Sequence, residues 1–506
     1  MNLASAFAAA AQRNAHKTAL FWGEAAFSYG QFLAQALGVA EKLQKDLGVR
    51  AGDRVGVWLK NCPQFVPTLF GIWQAGAVAV PINNFLKPDE IGFILTDAGI
   101  NLVITDETMA ESSAKLRERN SRLNFFQIEN FSSDTSENPQ STIHNPQSSE
   151  SDLAVIIYTS GTTGRPKGAM LSHGNLLHNF KSCRIVLEAA GEDRIVILLP
   201  MFHSFMLTVG IILPMLVGGT IVLIKSVNQP KTIVQEIVRH RATILPAVPQ
   251  FFRTFTHLVS PAGSGETPAG LSLADLPLRL CISGGAPLPA EIFREFTEKF
   301  PIPLLEGYGL SEASPVVSFN PIRGPWKAGS IGLPVNDVEV SVQNEAGKLL
   351  PTGETGEICV RGGNVMRGYW NQPEETAKTL RDGWLLTGDI GHHDSDGYFF
   401  ITDRKKDMLL VNGINVYPRE IEEILYQFPG VKEAAVIGVA DARKGEQPLA
   451  FVAAKDGAAL EEKLLLQFLR ERLADYKVPR RIVFLSALPR NATGKILKTE
   501  LRQQAG

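Results

Sequence analysis

The sequence predicts an α/β protein with a large N-terminal domain of helix-covered sheets, an attached β subdomain, and a small α+β C-terminal domain. Three observations predict it. From Leu153, short apolar β-branched runs alternate with longer segments of helical spacing, the pattern of a mostly parallel sheet covered by helices. Beyond Gly329 this gives way to closely spaced strands and glycine turns, VEVSVQNEAGKLLPTGETGEICVRG, which read as antiparallel β structure. A dense charge cluster at Arg404–Asp407 then separates apolar runs as a linker would, so the chain divides into residues 1–403, with the β subdomain at about 329–403, and residues 404–506.

Taken in order, the Ala-rich start MNLASAFAAAAQRNAHK lacks the basic n-region and apolar core of a secretory signal and is expected to form the first helix. RVGVWLK and GIWQAGAVAVPI predict an early α/β layer, and the polar segment 131–151 predicts a surface loop. Strands are expected at 153–158, 194–199, 220–224, 242–245 and 278–283. The uncharged run FMLTVGIILPMLVGGTIVLI (205–224) is long enough to cross a bilayer, but Pro214 and the Gly218-Gly219 pair interrupt it, so a helix, a tight turn and a buried strand are expected instead. The C-terminal part predicts two short apolar strands, an amphipathic helix near 460–475 and a polar tail with PRNATGKILK.

With 506 residues, 44% hydrophobic, 20% charged and a mean hydropathy of +0.02, the chain has the makings of a globular core. Fifty basic against 52 acidic residues leave a net charge of -2, which offers no attraction to nucleic acid. Cys62, Cys183, Cys281 and Cys359 are scattered without CxxC spacing, which argues against a disulfide framework or a structural zinc site and for a reducing cytoplasm.

The segment YTSGTTGRPKG (158–168) follows a strand and concentrates hydroxyls, glycines and a lysine, the composition of a loop that embraces a polyphosphate: Thr159, Ser160, Gly161, Thr162, Thr163, Gly164 and Lys167. It lacks the Walker A ending, since Lys167 is followed by Gly168 rather than Ser or Thr. Six further segments follow it in the chain: LPMFHSF (199–205), ISGGAPLP (282–289), EGYGLSE (306–312), WLLTGDIG (384–391), DRKKDMLLVNG (403–413) and PRNATGK (489–495).

Together these motifs resemble, in order and over nearly the whole chain, those of the adenylate-forming superfamily of acyl-CoA synthetases, luciferases and peptide-synthetase adenylation domains. The resemblance implies ATP-dependent activation of a carboxylic acid through an acyl-adenylate, with coenzyme A as acceptor. Glu312 would bind Mg2+, with a weaker contact from Thr159, as suits a hard cation. Tyr308 would lie against adenine, with Glu306, Gly307 and Gly309 in the same site and Gly285, Ala286 and Pro287 as its backbone wall. Ser311, where the family usually has Thr, would donate to the α-phosphate, and Asp389 and Arg404 would hold the ribose. Lys495 would bridge carboxylate and α-phosphate, because joining two anions requires neutralisation and alignment. The same resemblance implies a mobile C-terminal domain that rotates about Lys406 for the second half-reaction, with Gly413 bordering the pantetheine passage. Some members have a lysine before that glycine; Asn412 stands here.

The resemblance implies an acyl pocket lined around Phe202, His203, Val209, Val248, Gly284 and Val316, with His203 as a catalytic residue that orients or gates the carboxylate; these mostly apolar surroundings favour an uncharged hydrophobic acid, foremost a medium- or long-chain fatty acid. An aromatic acid-CoA ligase, a fatty acyl-AMP or acyl-carrier-protein ligase, and a binding protein without catalysis are the competing readings. Peripheral membrane contact and a homodimer are both compatible with the sequence.

Overall fold

A computed structural model describes residues 1–130, 148–159, 166–227, 229–259, 275–441, 443–491 and 494–505. Most of the polar segment 131–151 lies outside the described residues, as do Ser160, Gly161, Thr162, Thr163 and Gly164.

Two sheets form the bulk of the molecule. In the six-stranded sheet, Asn124–Gln127, Leu102–Thr105, Arg54–Trp58, Val78–Pro81 and Leu153–Thr159 run parallel, and Lys167–Ser172 closes the edge antiparallel to the last of them. The larger sheet has fourteen strands. Its parallel half comprises Thr18–Trp22, Thr220–Leu223, Arg194–Ile197, Ile244–Ala247, Leu280–Ser283 and Leu304–Gly309.

The strand predicted at 153–158 therefore belongs to a different sheet from the four that follow it. Local periodicity registers a buried strand but carries no information about its partner. The antiparallel strands beyond Gly329 do not form a sheet of their own either: through Val316–Phe319 and Ser330–Pro334 they join the parallel half in one hydrogen-bonded array.

Between the two sheets pack the helices Leu3–Arg13, Tyr29–Glu41 and Phe65–Gln74. Phe65–Gln74 is buried along nearly its whole circumference, as its uniformly apolar sequence requires. Ser28 and Gln31 cap Tyr29–Glu41 reciprocally, and Pro88, Pro230, Pro249, Pro373 and Pro418 open their helices, where a missing N–H costs nothing. The 205–224 run folds as expected: a π-helical stretch Met206–Ile212, a short helix Leu213–Val217, Gly218 at φ +81°, then the buried strand Thr220–Leu223. Among the described residues no helix is long and apolar enough to cross a membrane.

Pairing in the large sheet ends at Arg404, and a five-stranded sheet begins at Leu409. Two short strands, Leu409–Val411 and Ile414–Val416, follow ITDRKKD, and beyond them lie two long strands, Val431–Asp441 and Gly445–Ala454, 11 and 10 residues long. They extend because each pairs with the other along its whole length. Helices Pro418–Tyr426, Glu462–Arg470 and Lys498–Ala505 cover this sheet.

Candidate active site

A cavity of about 1190 Å³ opens where the two sheets and the C-terminal unit meet. Of the residues singled out in the sequence, Thr159, Lys167, Phe202, His203, Gly284, Gly285, Gly307, Tyr308, Gly309, Ser311, Glu312, Val316, Arg404, Lys406 and Lys495 line it. Their positions follow from the fold. Thr159 and Lys167 are register partners at the end of a β-hairpin, so the phosphate-loop sequence caps two antiparallel strands and leads into no helix. This explains the absent Walker A ending, which belongs to a strand-loop-helix unit.

Tyr308 sits on the last parallel strand, between glycines that no other residue could replace. A Cβ on Gly307 would come within 2.1 Å of the Phe319 ring, and one on Gly309 within 2.2 Å of the Pro315 carbonyl. The Tyr308 hydroxyl donates to Asp389 Oδ2 at 2.5 Å, and Arg404 Nε meets Asp389 Oδ1 at 2.9 Å. Glu312 occupies a short 3-10 turn at Ser311–Ala313, where Oε1 accepts from the Tyr369 hydroxyl at 2.9 Å and from Thr159 Oγ1 at 3.4 Å. These oxygens are of the type that suits a hard cation, and Glu312 and Thr159 are the residues that would hold one.

Lys167 is paired with Glu375, and its Nζ lies 5.3 Å from the centre of the Tyr369 ring. The pairing holds the Glu375 carboxyl at about 2. A polyphosphate reaching Lys167 therefore competes with a carboxylate already in place. Neither Glu375 nor Tyr369 was foreseen. Both stand in GYWNQPEET, about two hundred residues from the loop they meet, and the only signal there was an aromatic pair beside an acidic one.

Lys495 enters from the C-terminal unit. Burial, with Arg404 next in weight, lowers its ammonium to about 8. Burial and Lys495 lower His203 to about 4, so the imidazole is neutral near pH 7 and its Nδ1 accepts from the Phe205 N–H at 3.2 Å. Ser204 and Ser311 hydroxyls lie 3.1 Å apart.

Seven expected residues stand off the cavity wall. Asp389 is 2% exposed and held between Tyr308 and Arg404. Ala286 and Pro287 follow the wall-lining Gly285 but do not line the cavity themselves. Val209 is wholly buried in the π-helical stretch, and Val248 faces Gly494. Asn412 and Gly413, both at positive φ, make the tight turn between Leu409–Val411 and Ile414–Val416, an exposed position away from the cavity. Glu306 points into the protein and accepts the Leu288 N–H at 3.0 Å.

Burial raises Glu306 to about 7, with Arg419 opposing the shift. The fold thus favours its protonated form, and that contribution, present below the unfolded value of about 4.3, is lost as pH rises through about 7. Glu306→Gln is expected to raise the melting temperature by a few degrees at pH 8, recovering on the order of 3 kcal/mol, and to change it little at pH 4.5. Equal shifts at both pH values would refute this.

Comparison with known proteins places these features. The AMP-binding enzyme family matches residues 7–370, and the AMP-binding enzyme C-terminal domain matches residues 420–495. The chain belongs to the AMP-binding enzymes of the adenylate-forming superfamily. It is 37% identical over 497 residues to a feruloyl-CoA synthase of Amycolatopsis sp, covering 98% of this chain and 97% of the relative. It is 35% identical to a long-chain-fatty-acid–CoA ligase of Bacillus subtilis (strain 168), covering 98% and 93%. Its fold superposes on the crystal structure of ATP-bound MatB from Rhodopseudomonas palustris with a TM-score of 0.90 at 33% identity, covering 100% and 99%. The protein is thus an enzyme of the AMP-forming acyl-CoA ligase group, for which ATP, coenzyme A and a carboxylic acid are the substrates the family implies.

Proposed function

We propose that this AMP-binding enzyme activates an uncharged, largely apolar acid, a medium- or long-chain fatty acid, and transfers the acyl group to coenzyme A. The observation that carries the reading is the composition of the cavity near His203. Phe202, Phe205, Pro315, Val316 and Phe319 line it, a Cβ on Gly284 would come within 3.1 Å of the Phe205 ring, and Asn179 pins Val316 through both its N–H and its carbonyl. The neutral His203 supplies no charge, and Lys495, which helps to lower it, is the cation we assign to the acid head group.

In the first step a carboxylate oxygen attacks the α-phosphorus and pyrophosphate leaves. Lys495 neutralises the two approaching anions, Lys167 exchanges Glu375 for the leaving phosphates, and Tyr308 supports the adenine. A Mg2+ held at Glu312 and Thr159 would add charge neutralisation on the phosphates. In the second step the C-terminal unit turns about Lys406, the thiol attacks the acyl carbonyl, its proton passes to solvent, and AMP leaves.

A second reading, an aromatic acid, is favoured by the rings of Phe202, Phe205 and Phe319 and by the feruloyl-CoA synthase relative. Acid-dependent pyrophosphate release across octanoate, palmitate, benzoate and ferulate, followed by AMP release with and without coenzyme A, separates the two. The expected result is that palmitate or octanoate gives the highest kcat/KM and that turnover requires coenzyme A. Ferulate in first place would establish the second reading, and pyrophosphate without CoA-dependent turnover would point to a different acceptor.

A further inference from the structure

We propose that Arg253, Glu433 and Arg490 form a strut across the interface between the large and C-terminal units that places Lys495 in the cavity, making them positioning residues for adenylation. The inference rests on the role given to Lys495 above.

Lys495 is held by the described residues on either side of it. Arg490 and Ile496 form an antiparallel bridge, the Lys495 N–H donates to Asn491 Oδ1 at 2.9 Å, the Asn491 N–H donates to the Lys495 carbonyl at 2.9 Å, and Gly494 sits at φ +79°. Gly494 rests on the large unit, since a Cβ on it would meet Val248 Cγ2 at 3.4 Å. The Arg490 guanidinium, which itself reaches the cavity wall, braces it, one arm donating to the Gly494 carbonyl and the other to Glu433 Oε1 at 2.9 Å.

Glu433 is 5% exposed and is the third residue of the strand Val431–Asp441. The carbonyls of the two residues before it, Val431 and Lys432, both accept from Arg253, which is also 5% exposed. Arg253 lies on the helix Pro249–Leu258, whose N-cap residue is Val248. One helix of the large unit therefore meets the C-terminal unit at two points, under Gly494 and under the start of this strand. Glu433 and Arg490 join those points. Withdrawing charges this far from water is costly unless each is paired, so removing Arg490 leaves a buried Glu433 unpaired.

The arrangement has a kinetic consequence. Lysine is long and flexible, and a displacement of about 1 Å at a reacting centre is enough to cost on the order of a hundredfold in rate. When the C-terminal unit turns for thioester formation, Arg253 must release the two carbonyls, whereas Glu433 and Arg490 travel with Lys495. Arg253 thus acts in one half-reaction only.

The test measures the half-reactions separately: pyrophosphate release from ATP and the preferred acid, and AMP release from presented acyl-adenylate plus coenzyme A. Arg253→Gln is expected to lower the adenylation kcat by about tenfold or more while leaving the KM for ATP and the second half-reaction within about twofold of wild type. Arg490→Gln and Glu433→Gln are expected to lower adenylation at least as far, Arg490→Lys to recover part of it, and the Arg253→Gln/Arg490→Gln double variant to fall short of the product of the single losses. Equal loss in both half-reactions for Arg253→Gln, wild-type adenylation, or fully multiplicative losses would overturn the strut. Should Arg490→Gln fail to fold, Glu433→Gln, which keeps the side chain's shape, carries the test. A Lys495→Ala variant that adenylates normally would instead overturn the role of Lys495, so the two failures are distinct.

Discussion

Replacing Lys495 with alanine is expected to lower pyrophosphate release by about 10² to 10³-fold, on the order of 3–4 kcal/mol, the scale of losing one preorganised charge stabiliser. Thioester formation from presented acyl-adenylate should persist, because the proposed rotation about Lys406 would carry Lys495 out of the cavity before that step. The pH profile gives a second reading of the same group. Burial and Arg404 lower the ammonium to about 8, so the cation is present below that value and lost above it. The wild-type kcat/KM for adenylation is expected to fall about tenfold per pH unit beyond pH 8. Bound ATP, being anionic, favours the cation, so the limb in kcat should lie at higher pH. A stopped-flow series from pH 6 to 10 checks this: an alkaline limb that survives in Lys495→Ala would show that another group titrates.

The second large effect is expected at Glu312. Glutamine in its place keeps the shape and one oxygen but removes the charge, leaving the Tyr369 hydroxyl and Thr159 facing a neutral amide. Adenylation should fall by about tenfold to a hundredfold at limiting Mg2+ and recover partly as Mg2+ rises. Calorimetry of ATP binding provides a readout apart from turnover. Its Mg2+ dependence should weaken in the variant, and an unchanged midpoint would remove Glu312 from the metal site.

Much of the site was legible because each motif carries its own local chemistry. EGYGLSE shows two glycines flanking Tyr308, and the structure supplies a reason that the motif does not state, the packing of the Phe319 ring and the Pro315 carbonyl against Gly307 and Gly309. The helix, turn and strand within 205–224 were equally legible, since Pro214 and Gly218 act on their own immediate neighbours. Gly413 shows where such reading stops. The glycine is demanded by a two-residue turn with Asn412, and nothing in its neighbourhood in the chain says whether that turn also faces a passage.

By itself, then, the amino-acid sequence determined the alternation of strands and helices, the order of the motifs and the chemical types that gather around the cavity. These depend on side-chain spacing and backbone freedom within a few residues. Only the tertiary structure decided which strands share a sheet, that Asp389 is held between Tyr308 and Arg404, that Glu375 holds Lys167, and that Arg253 reaches the strand beside Lys495. Those pairings join residues far apart in the chain, and they arise because charges withdrawn from water must find partners wherever the fold brings them.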